Sequence, residues 1–237
     1  MNRGFLIASA LIAAGVAAVF SIRACAATQE AAAPVAAAPV ATAATSQWQV
    51  GTNYDVLAYP QPTNPPPGKV VVNEVFWYGC SHCYALDPTL ESWKKQKPDF
   101  IEFVRIPVIW GPGQRQHAKL FYVLQKLGRQ DLHSKVFTTI HEEHKPLAGS
   151  TDAEARAMQL AFLKENGVSE KDFNAAYDSP DVEASVDAAY KATNRYEIAS
   201  VPTMIVAGQY STSVSQAGGN AQLLALITDL ATREQHR

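Results

Sequence analysis

Cysteine is scarce in this sequence. There are 3 cysteines in 237 residues, and only Cys80 and Cys83 stand close together. No second CxxC pair exists, which excludes a zinc site built from two such pairs. Covalent haem attachment needs a histidine directly after the second cysteine, and that residue is Tyr84. Histidine offers no substitute metal site: the run HEEH at 141–144 is one residue too short for the HExxH zinc helix and reads as a solvated helical face. One-sided charge is missing too. The net charge is -2, from 20 basic and 22 acidic side chains, so no basic surface points to nucleic acid. No internal repeat is visible. What the chain does have is a 47% share of apolar residues, enough for one sizeable core with an inserted lobe but not for several large domains.

The N-terminal stretch is a different material. Arg3 precedes an apolar run from Phe5 to Ile22, broken only by Ser9, Gly15 and Ser21. A basic start before an apolar core reads as an export signal over residues 1–24. The run could also just span a bilayer as an uncleaved anchor. Residues 25–49 form an Ala/Pro-rich tether with no hydrophobic period. Cys25 has two readings: it is discarded at the small-x-small site Ala24-Cys25-Ala26, or it is acylated after Ile22-Arg23-Ala24, a lipoprotein box that Arg23 fits badly. Exported proteins meet an oxidising compartment. With Cys25 removed or acylated, Cys80 and Cys83 can pair only with each other or with another molecule.

The stretch FWYGCSHCYALDP, residues 76–88, holds the chemistry. A disulfide closing so short a loop stabilises by only about 2 kcal/mol, against nearly 5 for a loop of a hundred residues. A chain of this size does not need that staple. The near-continuous apolar run from Val70 to Tyr78 predicts a central strand covered on both faces. From Ser81 to Lys97 the pattern turns helical, with Pro88 expected to kink it. Cys80 therefore falls at a strand-to-helix junction, where free N–H groups and the helix dipole favour an anion. A thiolate is that anion, so the Cys80 pKa is expected well below that of a free cysteine. His82 adds positive charge or a hydrogen bond, and Cys83, one turn further in, is expected to be buried and less acidic. A stabilised thiolate is a good leaving group, so a disulfide containing Cys80 is a strong oxidant.

Three pieces together resemble the DsbA-type periplasmic thiol:disulfide oxidoreductases of bacteria. They are EVFWYGCSHCYALDP at 74–88, SVPTMIVAGQY at 200–210, and the helix-rich insert between them. The resemblance covers about residues 50–237. It implies an α/β thioredoxin fold with an inserted helical domain: 50–113 and 193–237 form the thioredoxin domain, and 114–192 the insertion. It further implies that Cys80 is the exposed nucleophile and Cys83 its buried partner. Pro202 is then a cis-proline facing the cysteines, and the Val201 backbone pairs with an extended substrate segment. The most familiar members carry proline where this chain has Ser81, whose hydroxyl can cap the helix. That dipeptide tunes the redox poise. Glu74, in the apolar strand, is read as a proton donor or acceptor near Cys83, against an acid that pairs with a local lysine or lies at an exposed strand end. Asp87 is read as a solvated acid.

The expected activity is oxidation of dithiols in exported proteins by exchange with a Cys80–Cys83 disulfide. No bound cofactor and no metal are needed, since the pair carries two electrons. Implied partners are unfolded exported polypeptides and a DsbB-type membrane reoxidant, with the enzyme a monomer in the periplasm, soluble or tethered through Cys25 or its N-terminal helix. The rivals are a disulfide isomerase or reductase, and a non-catalytic thioredoxin-like binding module.

Elsewhere the sequence predicts a strand over 101–108, a turn at 110–113, and a helix carrying Leu120, Val123, Leu124 and Leu127. A further amphipathic helix is expected over 130–143. Caps at Thr151, Ser169 and Ser179 open three more helices. A hairpin turns at Ala207-Gly208, and Asn220 caps a terminal helix.

Overall fold

The computed structural model describes residues 47–237. The export signal, most of the tether and Cys25 lie outside the described residues. In chain order the elements are β1 (Asp55–Val56), β2 (Val70–Phe76), α1 (Ser81–Lys94), β3 (Ile101–Pro107), α2 (Pro112–Lys126), a short 3-10 turn (Gln130–Leu132), α3 (His133–His141), α4 (Asp152–Glu165), α5 (Glu170–Tyr177), α6 (Pro180–Arg195), β4 (Thr203–Val206), β5 (Tyr210–Thr212), α7 (Val214–Ala217) and α8 (Asn220–Gln235). The five strands form one sheet in the order β1-β5-β4-β2-β3. Strand β2 runs parallel to β3 and antiparallel to β4.

Every residue of β2 is buried, Asn73 and Glu74 included, as the near-continuous apolar run predicts for a strand with neighbours on both sides and cover on both faces. Alternation sorts its side chains. Val70 and Val72 pack with Met204 and Val206 against Leu86 and Leu90 of α1 and Leu223, Leu226, Ile227 and Leu230 of α8. Val75 and Ile205 pack on Val108, Tyr196 and Ile198. A separate cluster joins the end of β2 to the inserted helices through Phe76, Tyr78, Cys83, Leu120, Leu124 and Phe137.

The hairpin forms where expected. Ala207 and Gly208 have φ of 53° and 66°, the paired positive values of a two-residue turn that matches strand twist. Thr151, Ser169 and Ser179 each cap the helix expected of them.

Some expectations shift. Helix α2 begins inside the expected turn, at Pro112, because proline is suited to a first helical position. The stretch 130–143 divides into the 3-10 turn and α3. At Thr151 only half a capping box forms: Thr151 Oγ1 accepts the Glu154 N–H, while the Glu154 carboxylate takes the N–H of Ser150. Gly219, not Asn220, is the cap of α8; Asn220 is its first residue and donates to Thr89 Oγ1. Helix α7 carries no signal that the sequence reading caught.

Candidate active site

Strand β2 ends at Phe76, and the backbone turns through Trp77, Tyr78 and Gly79 into α1. The Cys80 N–H donates to the Trp77 carbonyl at 3.0 Å, closing that turn. Cys80 has extended backbone angles and is the N-cap of α1, its sulfur accepting the Cys83 N–H at 3.4 Å. This corrects the expectation for Ser81: the sulfur, not the serine hydroxyl, caps the helix, because α1 starts one residue after Cys80 and leaves Ser81 exposed inside the first turn.

The two sulfurs sit in opposite environments. Cys80 is half-buried and Cys83 fully buried, both as free thiols. The Cys80 pKa is drawn down to about 6, first by the hydrogen bond from the Cys83 side chain, then by backbone N–H groups of Cys83 and His82 and the charge of His82, against some burial. The Cys83 thiol is pushed far up by its hydrogen bond to Cys80 and by burial, with the charges of Cys80 and Glu74 adding.

The Val201–Pro202 bond is cis. The Val201 carbonyl accepts from the Cys80 thiol at 3.5 Å, across 121 positions of sequence. A groove of about 420 Å³ opens beside the pair, lined by His82, Leu86, Val201, Pro202, Val214 and Asn220 among others.

Beneath the pair lies a cluster of charges. Glu74 and Arg105 are register partners on β2 and β3, and Arg105 Nε donates to Glu74 at 2.7 Å. The other arms of the guanidinium reach Asp87 at 3.0 Å and Glu91 at 2.8 Å, both on α1. So Glu74 pairs with a strand arginine, not a local lysine, and lies buried in mid-strand, not at an exposed strand end. Burial still wins at Glu74 and holds its pKa up, against the charge and hydrogen bond of Arg105. Asp87 is a correction: it is 2% exposed, not solvated. It falls on the inward stripe of α1 with Cys83, Leu86 and Leu90. Burial pushes its pKa up, but the His133 ring with Nε2 3.4 Å away, the hydrogen bond from Ser134 and the charge of Arg105 outweigh that and hold it low.

The HEEH expectation also changes. His141 is half-buried and stacks on Tyr84, with ring centroids 4.8 Å apart, while Glu142 accepts the Tyr84 hydroxyl and His144 stays exposed. Among the described residues no group of three or more His, Cys, Asp or Glu could hold a metal ion.

Known proteins decide what this geometry belongs to. A family model described as Thioredoxin matches residues 66–225. The thiol:disulfide interchange protein DsbA of Pseudomonas aeruginosa is 35% identical over 194 residues, covering 81% of this chain and 89% of that protein. The chain belongs to the DsbA family of thiol:disulfide oxidoreductases. The DsbA of Burkholderia cepacia is 36% identical over 181 residues, 75% of this chain and 82% of the relative. The crystal structure of P. aeruginosa DsbA aligns with a TM-score of 0.74 at 35% identity, covering 81% of this chain and 97% of that one. The Neisseria meningitidis oxidoreductase NmDsbA1 aligns at 0.66 and 27% identity, covering 80% and 96%. The DsbA architecture is the thioredoxin fold with a helical insertion, and helices α2–α6 stand between β3 and β4 as that requires. The enzyme is a thiol:disulfide oxidoreductase that introduces disulfide bonds.

Proposed function

We propose that Cys80 and Cys83 carry the exchange, with Cys80 the sulfur that meets substrate. The observation that carries this is the asymmetry of the pair: one sulfur accessible at a helix start, the other sealed behind it. In the oxidised enzyme a substrate thiolate attacks the Cys80 sulfur. The Cys80–Cys83 bond breaks, a mixed disulfide forms, and Cys83 leaves as a thiolate. Its burial disfavours that charge, so it takes up a proton. Glu74, held partly towards its protonated form by burial, is the proton donor, reached through water. The second substrate thiolate then attacks its own partner sulfur in the mixed disulfide. Cys80 leaves as a thiolate, the better leaving group of the two. The products are a substrate disulfide and the reduced enzyme, a balanced transfer of two electrons.

The substrate lies along Val201 as an added strand, which explains a carbonyl placed against the reactive sulfur beside an open groove. The substrates are unfolded or partly folded exported polypeptides, and a DsbB-type membrane protein restores the disulfide. We place the enzyme in the periplasm as a monomer, exported by residues 1–24. Among the described residues no helix is long and apolar enough to cross a membrane. Mass spectrometry of the mature N-terminus distinguishes cleavage beyond Cys25 from acylation at it and from a retained helix.

The oxidised protein is expected to convert a reduced, unfolded disulfide protein rapidly to its oxidised form while rescuing a scrambled one poorly. Faster rescue of scrambled substrate than oxidation of reduced substrate would favour the isomerase reading instead.

A further inference from the structure

The link from β2 to the nucleophile is held by the inserted helices through histidine. Trp77 donates its indole N–H to His117 Nδ1 at 2.9 Å, and His117 Nε2 meets the Pro146 carbonyl at 2.7 Å. An indole only donates and a carbonyl only accepts, so Nδ1 is bare and the ring is neutral with its proton on Nε2. Burial, which draws the His117 pKa down to about 4, agrees with that neutral form. One residue on, the Tyr78 hydroxyl lies 2.8 Å from His133 Nδ1, and His141 Nε2–H donates to the Tyr78 carbonyl at 2.8 Å. His117 belongs to α2, and His133 and His141 to α3.

The grip reaches the next residues. The Trp77 ring lies flat enough on the Gly79 backbone that a Cβ there would sit 2.4 Å from a ring carbon. The Trp77 carbonyl takes the Cys80 N–H. Every residue between the end of β2 and Cys80 is thus fixed by a side chain of the insert or by Trp77, which the insert fixes.

We propose that His117, His133 and His141 form a clamp by which the inserted helices hold the Cys80 sulfur against the start of α1, and that they are positioning residues for the exchange. None of them touches either sulfur through any hydrogen bond; they act through Trp77 and Tyr78. A thiolate is stabilised at a helix start only while it stays within reach of the N–H groups there. A loosened link lets the sulfur leave that position, which costs the thiolate more than it costs the disulfide, because the disulfide is tied to Cys83 covalently. The reduced form then loses stability relative to the oxidised one, and the enzyme becomes a weaker oxidant. The inference rests on the reading of Cys80 and Cys83 as the redox pair.

The test uses the full chain and three substitutions. Trp77→Phe keeps a ring over Gly79 and removes the N–H. His141→Ala removes the donor to the Tyr78 carbonyl. His141→Gln restores an N–H at nearly the Nε2 position. Each protein is equilibrated with glutathione, its Cys80 thiolate absorbance is titrated, and its melting temperature is measured separately. We expect Trp77→Phe and His141→Ala to move the glutathione equilibrium towards the disulfide form by about threefold or more, the size that one lost hydrogen bond gives. The Cys80 midpoint rises with it, and His141→Gln returns both towards the parent. An equilibrium and midpoint within about threefold of the parent, whatever happens to melting, would overturn the clamp and leave only core packing. Should His141→Ala not fold, Trp77→Phe and His141→Gln decide the matter alone. Activity surviving in Cys80→Ser would sink the underlying redox reading, a result distinct from an unmoved potential.

Discussion

A Cys80→Ser protein is expected to oxidise no dithiol above the uncatalysed rate, and Cys83→Ala is expected to fail at a different point. With Cys80 gone, Cys83 is fully buried, and burial by itself still disfavours its thiolate, so it supplies neither an accessible sulfur nor a thiolate. Iodoacetamide should leave Cys83 of the folded, reduced variant unmodified. With Cys83 gone, Cys80 keeps its place at the helix N-terminus and two of the backbone donors that lower its pKa, those of residues 83 and 82. Alanine is chosen because a serine would bury an extra hydroxyl in the apolar cluster around position 83. This variant still takes up alkylating reagent and forms a mixed disulfide with glutathione. It cannot form the internal disulfide, so catalytic turnover is lost while single-sulfur reactivity remains. Labelling of Cys80→Ser at the same rate as the parent would contradict the assignment of the two roles.

The second large effect is on stability. Arg105 is the shared counter-charge of Glu74, Asp87 and Glu91, and its side chain is only 7% exposed. Replacing it by leucine leaves Glu74 and Asp87 buried without that charge. Breaking a buried pair from one side costs about 3–5 kcal/mol, enough to remove much of a domain's stability. Arg105→Lys should recover only part of the loss, since one ammonium cannot serve three carboxylates along separate arms. The pH dependence has a definite sign. The Glu74 pKa already lies above its ordinary 4.5 in the folded protein and rises further without Arg105. A carboxyl whose folded pKa is raised loses stability as pH climbs from the unfolded value through the folded one. Arg105→Leu is therefore expected to lie closest to the parent near pH 4 and furthest from it near pH 7, by urea melts at both. A constant difference across that range would mean that the arginine matters through packing rather than charge.

Much of this was legible in the sequence because it is written in local patterns. The near-continuous apolar run pointed to the central strand, and the change of period after it put Cys80 at the helix start. The Ala207-Gly208 turn and the three hydroxyl caps are likewise local chemistry. What stayed hidden is long-range. Glu74 and Arg105 are 31 residues apart and meet only through the parallel register of β2 and β3. Asp87 was readable in principle: it stands four residues after Cys83 and three before Leu90, on the buried stripe. Its acidic side chain suggested water, and the missing piece was the distant cation that makes burial tolerable. The histidines illustrate the same limit. His117, His133 and His141 look like scattered helical residues until the insert folds back and presents all three to Trp77 and Tyr78. Asn220 shows how a cap can be misread by one residue when a glycine precedes it, since glycine also serves at that position.

The account depends on a sulfur that gives up its proton easily. Thiolate absorbance of the reduced protein, titrated against pH with Cys83→Ala and Cys80→Ser run alongside, reads this directly. The expected trace is a single-thiol step with a midpoint near 6, absent in Cys80→Ser. A step near 9, the ordinary value for a cysteine, would contradict it.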